Sequence, residues 1–70
     1  MIGPADIAAL AHLYDRYANA LERTSADRVQ ARRQFYVRLE MLHEQEGRIV
    51  SYDAFRFEMV NLCKEFLRKN

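Results

Sequence analysis

"RTSADRVQARRQFYVR", residues 23–38, decides how this 70-residue chain folds. It carries five arginines and neither glycine nor proline. Thr24 and Asp27 have the spacing of a capping box with Asp in place of Glu, which would start a new helix here. Two features oppose a start. The flanking staple positions would be Arg23 and Arg28, both charged, and no C-cap glycine closes the preceding segment. Helical phase points the same way. At about 100° per residue, Leu10, Tyr14, Tyr17 and Leu21 form a stripe, and Phe35, Leu39 and Leu42 fall on it too.

The sequence therefore predicts an all-α fold with one long N-terminal helix over about residues 4–46. A shorter antiparallel helix follows over about residues 52–69, and two copies dimerise into a helical bundle. The alternative is a compact three-helix bundle with a turn at Thr24 and Ser25. Its three segments come out nearly equal in length, as a bundle requires.

Outside residues 23–38, the only proline and both glycines fall at element boundaries. In "IGPADI" Gly3 takes the N-cap, Pro4 the first helical position and Asp6 the first turn, where it meets the positive end of the helix dipole. Ile2 and Ile7 then occupy hydrophobic-staple positions. "VSYDAF" repeats the device with Ser51 as cap and Val50 and Phe55 as the staple. Gly47 is the one clear helix stop. The last helix puts Tyr52, Phe55, Met59, Leu62, Cys63 and Phe66 on one side, widened by Val60 and Leu67.

Residues 46–55, "EGRIVSYDAF", resemble the link into the second helix of winged-helix DNA-binding domains. A glycine, a basic residue, two β-branched residues and a capping serine recur there. The resemblance covers these ten residues and then fails, because the helix from Tyr52 runs on without a turn and no recognition helix or strand pair follows before Asn70. An ordinary stapled helix start describes the stretch, and no family is assigned from it.

Composition narrows the class. Half the residues are apolar, so the chain reads as a single globular domain without disordered or low-complexity character. Below about 70–80 residues one core supplies only ~3–5 kcal/mol, and small domains add disulfides, a metal or a partner subunit. The single cysteine, Cys63, cannot close an intrachain bridge, which fits a reducing compartment. There is neither a basic, then apolar, N-terminal signal nor an apolar run of the ~20 residues needed to span a bilayer, so a cytoplasmic protein without membrane association is expected.

The net charge of +1 conceals blocks of −2 over residues 1–22, +4 over 23–38, −3 over 39–47 and +2 over 48–70. The chain as a whole is too nearly neutral to be drawn strongly to nucleic acid, so any such binding would be local. On the wheel Arg28 and Arg32 lie in line with Leu21 and Phe35, whereas Arg23, Arg33 and Arg38 scatter over other faces. Such arginines interrupt an apolar seam and set its register against acidic residues of another chain, such as Asp15 or Glu22.

Under the long-helix reading the last helix covers only half of the first, leaving Leu10, Tyr14, Tyr17 and Leu21 bare. A contiguous bare stripe marks an interface. Leu10, Tyr14, Tyr17, Leu21, Arg28 and Arg32 are thus the expected interface residues, in a homodimer or against a protein partner. Under the three-helix reading the same apolar residues are core, and a monomer suffices.

No catalytic or metal chemistry is expected. Glu40 and His43 have the E-x-x-H spacing of carboxylate-bridged metal bundles, but Glu58 and Glu65 lie off the apolar stripe and complete no ligand set. Two histidines and one turn serine make no nucleophilic triad, and no glycine loop cradles phosphate. His12 reads as a helix-surface residue, His43 as a possible pH-sensitive contact, and Cys63 as a small hydrophobe on the stripe. The functional expectation is a non-enzymatic protein-interaction module without a cofactor. The alternative is a small helical DNA- or RNA-binding regulator using Arg23, Arg28, Arg32, Arg33 and Arg38.

Overall fold

Each helix of this protein begins with a recognisable cap. The computed structural model describes residues 2–19, 24–47 and 49–69, which form three helices: α1 (Pro4–Ala18), α2 (Ser25–Gln45) and α3 (Tyr52–Lys69). At the start of α1, Pro4 follows an extended Gly3, and the Asp6 carboxylate accepts a hydrogen bond from the Gly3 N–H at 3.0 Å. Glycine has no side chain to reciprocate, so this is half a capping box. At the start of α3 the Ser51 hydroxyl accepts from the Ala54 N–H at 3.2 Å. α2 stops at Gly47, whose φ of +76° lies in the left-handed region and whose N–H donates to the Glu44 carbonyl. That conformation is routine for glycine alone.

The continuous helix expected over residues 4–46 does not form; the chain adopts the three-helix alternative. α1 ends at Ala18, and Asn19 leaves helical geometry at φ −105° and ψ 22°. Thr24 is extended, at φ −62° and ψ 161°. Its Oγ1 accepts from the Asp27 N–H at 3.2 Å and donates to the Asp27 carboxylate at 2.9 Å, so Thr24 is a true N-cap, while Asp27 bonds the Thr24 hydroxyl and not its backbone N–H as a full capping box would. The break falls just before the expected turn: Thr24 is the cap and Ser25 is already helical. Residues 20–23 lie outside the described residues.

Magnitudes favour the break. Interrupting a helix forfeits a few hydrogen bonds worth about 0.5–1.5 kcal/mol each, and a good cap returns about 1 kcal/mol. Folding back buries Leu10 completely and packs Tyr14 and Tyr17 against the core. Each large apolar side chain covered contributes about 1.5–3 kcal/mol. Tyr14, Tyr17, Phe35 and Leu39 all lie in or against the core, each helix by its own period, and the phase they share across the break is not required by that packing.

The core consists of Leu10 and Ala11 from α1, Phe35, Leu39 and Leu42 from α2, and Phe55, Met59 and Cys63 from α3. α1 packs extensively against both other helices, whereas α2 and α3 touch each other far less. They meet near the junction after α2, where the His43 ring lies 5.7 Å from Tyr52 and 5.1 Å from Phe55, and its Nε2 is 2.8 Å from the Val50 carbonyl oxygen. The Ile2 N–H donates to the Glu46 carboxylate at 2.9 Å and ties the start of α1 to the same junction. No helix among the described residues is long and apolar enough to cross a membrane.

Candidate interaction surface

Because α2 and α3 diverge from their junction, α1 is left as the floor of a groove between them. Tyr14 and Tyr17 rise from this floor. Tyr17 stacks on Phe35 at 5.9 Å and meets Tyr36 edge-on at 6.2 Å; Tyr14 lies 5.5 Å from Phe35. With Arg56, Phe57 and Val60 of α3 these rings line a cleft of about 280 Å³. Phe57 is 71 % exposed, the most exposed aromatic side chain among the described residues, and it stands on the rim. The Arg32 guanidinium lies 5.2 Å from the centre of the Tyr36 ring, in cation–π contact.

Toward the junction the groove changes sign. Glu40, His43, Glu44 and Tyr52 line its continuation. Burial raises the Tyr52 phenol above its ordinary value, and the neighbouring Glu40 carboxylate and Tyr36 add to the shift. Tyr14 is raised by burial first, with Cys63 and Tyr17 contributing. Burial alone pushes the Cys63 thiol up to about 11, so it stays protonated at neutral pH and behaves as a small hydrophobe.

Two further surfaces are apolar. A cleft of about 370 Å³ gathers both staple pairs, Ile2 with Ile7 and Val50 with Phe55, together with Ile49, Met59 and Leu62. On the far side of the α1–α2 pair, Leu13, Val37 and Met41 share a shallow depression with Arg33, Gln34 and Arg38. Apolar residues thus stand on both sides of α2, the buried side and the solvent side.

The structure disperses the residues expected at an interface. Leu10 is 0 % exposed within its own chain and so has no surface to offer another. Tyr14 and Tyr17 are half-buried and keep an edge in the groove. Arg28 and Arg32 are exposed on α2. Leu21 lies outside the described residues. Of the arginines named for nucleic acid, Arg28, Arg32 and Arg33 are exposed, Arg38 is half-buried, and Arg23 lies outside the described residues. Arg32 borders the aromatic groove while Arg33 and Arg38 flank the other depression, so they form no single strip.

Glu40 and His43 line the same cleft, and the His43 ring is engaged by the Val50 carbonyl and packed on Tyr52 and Phe55. Among the described residues, no group of three or more His, Cys, Asp or Glu could hold a metal ion. His12 is exposed and meets Phe66 edge-on at 6.0 Å.

Two residues of the groove, Tyr36 and Phe57, were not marked by the apolar stripes. A signal for Phe57 exists: it is an aromatic residue on the polar side of an otherwise amphipathic helix. Tyr36 sits at the edge of the core face, where phase alone assigns it to neither side. No protein-family model, curated protein or solved structure matches this chain.

Proposed function

We propose that this is a small non-enzymatic helical protein that acts through protein–protein contact, by self-association, by binding a partner polypeptide, or both. The observation that carries the reading is the aromatic groove between α2 and α3, floored by Tyr14 and Tyr17 and rimmed by Tyr36 and the exposed Phe57. Tyrosine and phenylalanine around a cleft, with arginine beside them, are the side chains enriched at the centres of protein interfaces. They supply large contact area at low conformational cost, and the groove needs no further rearrangement to receive a side chain.

A second reading has one observation in its favour. Arg32 stacked on Tyr36, next to exposed Arg28, resembles the cation and aromatic pairing on which single-stranded bases stack. In that reading the protein is a nucleic-acid-binding regulator. Salt separates the two, because phosphate contacts weaken steeply as salt rises whereas apolar packing hardly responds.

The test uses sedimentation and affinity retention of purified protein, with Tyr36→Asp and Phe57→Asp beside wild type and circular dichroism as the control for folding. Loss of polypeptide association in both variants, with helicity kept and little response to salt, is the expected result. Association unchanged by both substitutions, or retention on single-stranded polynucleotide that vanishes between low and moderate salt, overturns the protein-contact reading.

A further inference from the structure

The side of α2 that flanks its core-facing residues has an order that the core does not require. Val29, Arg32, Tyr36, Glu40 and His43 fall within an arc of about 80° when placed at about 100° per residue, so they form one face along the helix. Val29 is 58 % exposed, Arg32 and Glu40 are exposed, and Tyr36 and His43 are half-buried. The face is basic toward the start of α2 and acidic toward its end, with an aromatic ring at the centre. Moreover, it is symmetric about Tyr36: Arg32 and Glu40 stand four residues to either side, Val29 and His43 seven.

We infer that the occupant of this face is a second copy of the same chain, packed antiparallel, α2 against α2, on a two-fold axis through Tyr36. This inference rests on the protein-contact reading above and specifies it. Reversing one copy about that axis brings Tyr36 to its own mate, Arg32 to the level of the partner's Glu40, and Val29 to the level of the partner's His43. The same residues then serve both sides, as a two-fold interface requires. A parallel arrangement would set Arg32 on Arg32 and Glu40 on Glu40, so charge selects the antiparallel register.

Several observations prepare the face for that contact. Among the described residues, Arg28, Arg32 and Glu40 form no ion pair within the chain, whereas α3 carries short-range ones, Asp53 with Arg56 and Glu65 with Arg68 and Lys69. The Tyr36 ring holds the Arg32 guanidinium, which reduces the side-chain freedom to be lost on pairing. Phe57 stands beside Tyr36 in the same groove and extends the apolar centre of the contact. His43 is already fixed by the Val50 carbonyl and closes the end of the seam. The face is short, so the dimer belongs to the weak, concentration-dependent class.

The experiment is sedimentation equilibrium of wild type, Arg32→Glu, Glu40→Arg and the double variant Arg32→Glu/Glu40→Arg, over a concentration range of roughly 1–500 µM, where weak dimers titrate. Wild type is expected to dimerise, and each single reversal to raise the dimer dissociation constant at least about tenfold by setting like charges opposite one another twice. The double variant should regain the wild-type constant. An equimolar mixture of the two single variants should form the heterodimer, because each rung then joins a glutamate to an arginine.

A wild type that stays monomeric throughout the range overturns the inference, as does a dimer indifferent to both reversals or a mixture that fails to pair. These outcomes leave the protein-contact reading to its own test. If Phe57→Asp still abolishes association while the charge reversals do nothing, the α2-on-α2 contact is overturned and the protein-contact reading stands. If neither has any effect, both fail.

Discussion

The two junctions of the chain both turn one helix into the next, but they are built differently. Between α2 and α3 the backbone itself makes the turn: Gly47 at φ +76° ends one helix and Ser51 caps the next within a few residues. Between α1 and α2 no glycine is used. There Thr24 supplies a cap that would serve in many contexts, and the fold-back is justified by the side chains it brings together, Leu10, Tyr14 and Tyr17 against Phe35 and Leu39. A junction written in backbone chemistry is local; one written in packing depends on residues a helix away.

Substitutions should separate the two. Leu10→Ala strikes the packing on which the first junction relies and should cost about 2–5 kcal/mol, measured by urea titration, the largest effect of the series. A loss as small as that of a surface residue would show that Thr24 holds the break unaided. Gly47→Ala forces a Cβ into a left-handed backbone and should cost about 1–2 kcal/mol, even though the added atom meets nothing within 4 Å. Thr24→Ala removes only a cap and should cost about 1 kcal/mol, with a similar value for Ser51→Ala. If Thr24→Ala instead cost more than Gly47→Ala, the first junction would be the one fixed locally.

The smallest effect of the series is that of Cys63, present at neutral pH and fading in alkali. Its thiol titrates near 9 in the unfolded chain and near 11 when folded, so between those values the unfolded chain holds fewer protons. Its stabilising contribution is complete below about pH 9 and is lost as pH rises through 11, and the raised Tyr14 and Tyr52 phenols act in the same direction. The melting temperatures of wild type and Cys63→Ala should therefore converge between pH 8 and pH 11. A difference that stays constant would mean that the thiol is not buried.

The contrast also explains what could be read in advance. The starts at Pro4 and Tyr52 and the stop at Gly47 were legible because Pro, Gly and Ser carry backbone constraints that do not depend on context. The break before Thr24 was legible only as a possibility. Its capping signal has Asp in place of Glu, its staple positions are arginines, and the phase match between Tyr14 and Phe35 imitates a continuous helix. Sharing a core and sharing a helix produce the same periodicity in the sequence.

The groove was half legible. Tyr14 and Tyr17 announced themselves as a stripe, and the arginines as a block. Tyr36 and Phe57 did not, since their significance arises only where α2 and α3 diverge. The order of charge along α2 was present in the sequence throughout. It became meaningful once the adjoining core-facing side of α2 was known to be taken by Ala31, Phe35, Leu39 and Leu42.

The central place of α1 has a consequence for how the chain closes. Leu10 and Ala11 are enclosed only when residues from both later helices are in place, ending with Cys63. On a growing chain the first helix made is therefore the last to be fully covered. α2 and α3 touch each other far less than each touches α1, and their direct contacts include those of His43 with Val50, Tyr52 and Phe55. A polypeptide arrested before Cys63 would lack the last residue that covers the Leu10 and Ala11 face of α1.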